Sequence, residues 1–242
     1  MGTSKGYQAP STPQWGKLKG DVTRASSDGS VTSDVARTII GGFLQASGGV
    51  GETSQSGGIG GGRAAQRVAG RLANLISSVS TKGLSEAFRD NNLSNLIGQS
   101  ASDISIGLID ALCDDGSTLD EVDARNAMSN LLEDLLMGAT SYEQVQQILE
   151  EKLQINATES LLIHFFGYYI YRRFCHTFYE ELVKKHGEQK SNGFLSDIKR
   201  CIDEELRYKT LGKKAVTMDW LGTEGQALID EILQDTLAIF GG

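Results

Sequence analysis

The chain has 242 residues, 23 Lys and Arg against 31 Asp and Glu, and a formal net charge of −8. That length allows one domain with a real core, with or without a tail, and that charge argues against broad, unspecific attraction to nucleic acid or anionic lipid. Three cysteines, Cys113, Cys175 and Cys201, form no CxxC pair and suggest neither a disulfide framework nor a zinc site.

Composition changes along the chain. Residues 1–62 hold 15 of the 29 glycines and both prolines and carry a charge of +1, leaving −9 on the rest. Residues 63–242 contain no proline, which suits an all-helical domain. The expectation is a flexible Gly/Ser-rich arm with short helical islands over 1–62, followed by an α-helical domain over 63–242. No signal peptide is apparent, because the N-terminus is polar and glycine-rich. The most apolar run, Leu161 to Tyr171, is 11 residues long against the roughly 20 needed to span a bilayer. A soluble, cytoplasmic protein with reduced thiols is expected.

In the arm, Trp15, Leu18 and Val22 have the spacing of an amphipathic turn or two. Val31 to Gln45 is a second candidate helix, with Val35, Ile39, Ile40, Phe43 and Leu44 on one side and Gly41-Gly42 weakening it. Residues 48–62 have the composition of a flexible linker. From Arg63 the pattern turns helical, with Ala65, Val68, Leu72, Leu75, Ile76 and Val79 on one face until Lys82-Gly83. Two short helical pieces flank Asn91-Asn92, and Ser102 or Asp103 is placed to cap a helix running to Cys113. Thr118 with Glu121, and Ser141 with Gln144, have capping-box spacing for two further helices.

Asn156 to His186 is the stretch around which the chain is organised. Eight of its 17 aromatic residues fall between Phe165 and Tyr179. Asn156 with Glu159 has cap spacing, and Lys184, Lys185 and His186 suit a helix C-terminus. A helix apolar nearly all round should be buried on most faces. Ser191 to Tyr208 follows, with Phe194, Leu195, Ile198, Cys201, Ile202 and Leu206 inward. A last helix, Thr223 to Phe240, is expected to bury Ala227, Leu228, Ile232, Leu233, Leu237 and Phe240. Nothing alternates as a strand does. The fold expected is all-α, an irregular multi-helix bundle around a central aromatic-rich helix.

No residue set meets the demands of catalysis or metal binding. His164, His176 and His186 lie too far apart on one helix to share a metal. Cys175 and His176, as helix neighbours, point about 100° apart. Asp114, Asp115, Asp120, Glu121 and Asp123 lack the order of a calcium loop and suit a helix N-terminus. GGIGGG at 57–62 lacks the ending of a phosphate loop. The terminal Gly241-Gly242 suggests a frayed helix end. Arg172-Arg173 within the aromatic helix needs partners: Glu180, Glu181 or neighbouring acids on the ordinary reading, an anionic partner on the other. No catalytic residue, no cofactor and no metal ligand is expected, so the chain is read as a partner and not an enzyme.

The opening MGTSKGYQAP with nearby Trp15, the glycine-rich linker, the run FFGYYIYRRFC and the ending DWLGTEGQALIDEIL resemble the small B component (QatB-like) of Qat-type bacterial anti-phage defence loci. The resemblance implies partners from such a locus: an ATPase, a QueC-like protein and a TatD-like nuclease, with no direct nucleic acid and no membrane. QueC-like proteins in defence settings resemble enzymes that join a deazaguanine precursor to an amine. The resemblance therefore implies that Gly2, exposed once Met1 is removed, is an amine acted on. The residues expected to meet a partner are Tyr7, Trp15, Leu18, Phe43, Arg172 and Arg173. The alternative is a helical adaptor or scaffold whose N-terminal arm folds on a partner without modification. A membrane-disrupting effector built on the aromatic helix is the third reading.

Overall fold

The computed structural model describes residues 12–47, 62–207, 209 and 219–240. Among these, ten α-helices form: α1 Pro13–Ser26, α2 Ser33–Ala46, α3 Arg63–Lys82, α4 Leu84–Asp90, α5 Ala101–Leu112, α6 Leu119–Leu135, α7 Tyr142–Lys152, α8 Thr158–His186, α9 Glu188–Leu206 and α10 Thr223–Ile239. Short 3-10 turns occupy Ser94–Leu96 and Ile155–Ala157, and no described residue lies in a strand. The chain is all-α.

The helix boundaries follow local chemistry. Thr118 and Glu121 cap α6 reciprocally, the Glu121 N–H donating to Thr118 Oγ1 at 3.2 Å and the Thr118 N–H to Glu121 Oε2 at 3.1 Å. Ser141 and Gln144 do the same for α7. The cap of α5 is Ser100, two or three residues before the positions expected, because Ser100 has the extended backbone that lets its hydroxyl reach the Asp103 N–H. Between α3 and α4, and again between α8 and α9, the chain turns at a glycine with positive φ, Gly83 at 80° and Gly187 at 80°. The aromatic helix starts at Thr158 rather than just after Asn156, because one 3-10 turn precedes it.

The chain divides into two compact units. The first comprises Met1–Gly61, Ile170–Tyr208 and Gln234–Gly242; the second comprises Gly62–Tyr169 and Lys209–Leu233.

In the first unit, residues expected as isolated helical islands form two full helices of 14 residues each. Their apolar faces are buried against the second half of α8 and against α9. The face of α2 that goes inward is Ala36, Ile39, Ile40, Phe43 and Leu44, while Val35 stays 43% exposed, one helical step off that face. Gly41 weakens α2 as an isolated helix, but it has a packing reason. A Cβ there would lie 2.5 Å from the carbonyl oxygen of Phe240, so only glycine lets the end of α10 come this close. Arg37 secures the same end, with Nη2 3.2 Å from Glu205 Oε2 and 3.5 Å from the Ile239 carbonyl.

In the second unit the buried face of α3 packs against α4, α6 and α7, and Leu162, Ile163, Phe165, Phe166, Tyr168 and Tyr169 of α8 are all buried. Trp220 is buried as well. The inward face of α10 is Ile229, Ile232 and Leu233, continued in the first unit by Leu237 and Phe240. Four of the six residues expected inward, Ile232, Leu233, Leu237 and Phe240, are buried; near the start of the helix Ala227 is exposed and Leu228 half-buried, and Ile229 takes their place.

Candidate functional site

The residues expected to meet a partner do not form one surface. Trp15 and Leu18 are each 3% exposed and Phe43 is 1% exposed. Trp15 stacks on Phe178, ring centroids 5.7 Å apart and planes at 18°. Phe43 meets Phe174 edge-on at 5.3 Å and Phe178 at 6.0 Å. The three side chains have found their apolar partner within the chain itself, so as exposed docking groups they are withdrawn. The physical reason is that α8 presents more aromatic surface than α9 alone covers, and α1 and α2 cover the rest. Gly2 and Tyr7 lie outside the described residues, as do Gly57 to Gly61 and Gly241-Gly242.

Arg172 and Arg173 are half-buried on α8. The Arg172 guanidinium lies 5.8 Å from the centroid of the Tyr171 ring. Burial and the neighbouring Cys175 thiol push the Tyr171 hydroxyl above its ordinary value. Glu181 takes the Lys185 ammonium at 2.7 Å and Lys19 at 3.9 Å. The Lys185 hydrogen bond holds its carboxyl below the usual range.

The Lys19–Glu181 pair and the Trp15–Phe178 stack join α1 to α8. Thr12 caps α1, its hydroxyl accepting from the Trp15 N–H at 3.3 Å, and Pro13 occupies the first helical turn, where its missing N–H costs nothing.

Beside α1 runs a cleft of about 600 Å³, lined by Gln14, Lys17, Leu18 and Asp21 of α1, by Arg37, Thr38, Gly41, Gly42 and Gln45 of α2, and by the last turn of α10. Sequence reasoning missed this cleft. Its one sequence signal is the Gly41-Gly42 pair, whose meaning depends on where α10 ends.

The second unit carries an open polar shelf lined by Arg67, Arg71, Cys113, Asp114, Ser117 and Glu121. Arg67 and Arg71, one turn apart on α3, both grip Asp114, at 2.6 Å and 2.9 Å, and Arg67 also lies 3.5 Å from Glu121. Partial burial raises the Asp114 carboxyl, but the two guanidiniums outweigh it and leave it below its ordinary value. Glu121 is lowered by hydrogen bonds from the Ser117 hydroxyl and the Thr118 N–H. Two cations face three carboxylates here, Asp114, Glu121 and the exposed Asp115, so the shelf offers no unanswered positive charge. Asp120 of the acidic cluster is structural: it accepts from the Ala64 N–H at 3.0 Å and from the Tyr169 hydroxyl, fixing the start of α3. Gly62 permits this, since a Cβ there would sit 2.8 Å from the Tyr169 oxygen.

Burial pushes the Cys113 thiol up to about 12 and the Cys201 thiol up to about 11, which removes both as nucleophiles at neutral pH. His164, His176 and His186 sit on α8, with the His164 ring nitrogen Nδ1 2.7 Å from the Ser160 carbonyl. Among the described residues no group of three or more His, Cys, Asp and Glu is placed to hold a metal ion, and no helix is long and apolar enough to cross a membrane.

Comparison with curated proteins and with solved structures found no match to either. The family model described as Qat anti-phage system associated protein QatB matches residues 58–240, three quarters of the chain, running from just before α3 to just beyond α10. The chain belongs to the QatB family, a component of Qat anti-phage systems.

Proposed function

We propose that the chain is a non-enzymatic, cytoplasmic component of an anti-phage defence complex, binding a QueC-like protein of its own locus and offering that protein its N-terminal amine. Membership of the QatB family is the observation that carries this reading. Two features support the finer part. The residues ahead of α1 are small and polar, MGTSKGYQAPS, a composition that suits entry of a chain end into another protein's active site. The Thr12 cap and the Trp15–Phe178 stack hold α1 to the first unit. Ten residues from Gly2 to Ser11 extend at most about 35 Å, so an enzyme acting on Gly2 must approach that unit to within this radius.

Intact mass spectrometry of the chain co-expressed with its neighbouring genes tests the proposal. A mass increase localised to Gly2, with Met1 removed, is expected; an unmodified Gly2 in a working defence system overturns it. Deleting residues 2–6 while keeping α1 separates this reading from an unmodified adaptor, because only the modification substrate loses function.

A further inference from the structure

The cleft beside α1 has a definite shape and chemistry. Gln14, Lys17 with Leu18, and Asp21 mark successive turns of α1, and Thr38, Gly41 with Gly42, and Gln45 mark successive turns of α2. The cleft therefore runs along both helices for about 10 Å, two turns of rise. Ala238, Ile239 and Phe240, where α10 stops, line it as well. Its volume of about 600 Å³ is in the range of clefts that seat small ligands, about 300–1,000 Å³.

Three charged residues line it, and two are already answered. Asp21 pairs with Arg24 at 3.4 Å, and Arg37 with Glu205 at 3.2 Å. Lys17 is exposed and has no ion-pair partner among the described residues. One positive charge is thus left over in a chain whose net charge is −8.

The remaining groups suit a main chain more than a packed helix. At the end of α10 the Leu237 carbonyl takes the Phe240 N–H and the Ile239 carbonyl takes the Arg37 guanidinium, which among the described residues leaves those of Ala238 and Phe240 to accept N–H groups. The Gln14 amide both donates and accepts, and the Thr38 hydroxyl, whose proton goes to the Asp34 carbonyl at 2.9 Å, keeps its capacity to accept. Gly42 lets a backbone come close. An α-helix has already used its own N–H and C=O groups and would leave these unanswered, whereas an extended segment brings both.

We infer that this cleft binds an extended, acidic peptide segment of another protein of the same defence locus, a carboxylate of that segment meeting Lys17. The inference rests on the reading of the chain as a partner within that complex, and names the surface it uses.

The test uses the purified full chain and overlapping 12-residue peptides covering the other proteins of the locus, with binding measured by fluorescence polarisation. Two variants probe the cleft. Lys17→Glu reverses the unpaired charge at an exposed position. Gly42→Leu adds bulk at the cleft wall: the nearest atom to a Cβ at 42 is Leu18 Cδ1 at 3.6 Å, ordinary contact distance. Acidic peptides should bind the wild type, and each variant should weaken them at least tenfold without a fall in the unfolding midpoint.

Four results overturn the inference: no tiled peptide binds; binding survives both variants; binding appears only after residues 2–11 are deleted, which makes the chain's own leader the occupant; or Gly42→Leu abolishes a concentration-dependent dimer, which makes a second copy the occupant. Should Gly2 be modified normally in the Lys17→Glu chain while no peptide binds, the docking surface is wrong and the proposed function stands.

Discussion

Trp15 stacks on Phe178 with ring centroids 5.7 Å apart, joining the first helix of the chain to the second half of α8. The pair is the centre of an aromatic cluster with Phe43, Phe174 and Phe194 that holds the first unit together. Trp15→Ala and Phe178→Ala should each cost about 3–5 kcal/mol, as large-to-small changes of buried aromatics do. In a double-mutant cycle followed by urea unfolding, the two should be coupled by about 0.5–1.5 kcal/mol. Strict additivity would show that the rings do not touch in solution.

Adjacent glycines in α2 should respond in opposite directions. Gly41→Ala places a methyl 2.5 Å from the Phe240 carbonyl oxygen, and displacing the end of α10 should cost about 1–3 kcal/mol. Gly42→Ala meets only Leu18 at 3.6 Å, and the better helix former should add about 0.5–1 kcal/mol. Thermal unfolding of both variants is the measurement, and equal effects would contradict the close approach of α10 to α2.

Acid should weaken the Arg67–Asp114–Arg71 clamp in a defined window. The folded Asp114 carboxyl lies below its ordinary value, so its stabilisation is fully present above about pH 4, the unfolded value, and is lost as pH falls through the folded one. Asp114→Asn lacks this at every pH. Because the arginines are partly exposed, the gap between wild type and variant should be only about 1 kcal/mol at pH 7. It should close below about pH 4 in urea titrations across pH. A gap that widens in acid would reverse the sign argued here.

Thiol accessibility gives an independent check on the core. Cys113 and Cys201 are buried, with thiols raised to about 12 and about 11, and Cys175 is half-buried. With a disulfide-exchange reagent at pH 8, Cys175 should react first, and the other two only on unfolding. Rapid labelling of two thiols in the native chain would place Cys113 or Cys201 wrongly.

The helices were legible from local chemistry because their signals are local. Two capping boxes, the stop at Lys82-Gly83 and the 3.6-residue periodicity of α3 and α9 are written within one or two turns of chain, and the buried residues of both helices are those the pattern names. In α2 and α10 most inward residues are likewise those the pattern names, and the departures lie near the start of each helix, where Ala36 is buried in place of Val35, and Ile229 in place of Ala227 and Leu228.

By itself the sequence determined that the body is helical, that Asn156 to His186 is too apolar to lie on a surface, and that the stretch from 58 to 240 carries the QatB family pattern. Tertiary structure alone decided that Trp15, Leu18 and Phe43 turn inward, that Gly41 is a seat for the end of α10, that Asp114 answers two arginines of α3, and that a cleft with one unanswered lysine opens beside α1. The reason is range. Caps and periodicity act between residues three or four apart, whereas these contacts join residues dozens to more than a hundred positions apart, and only packing brings them within a few ångströms.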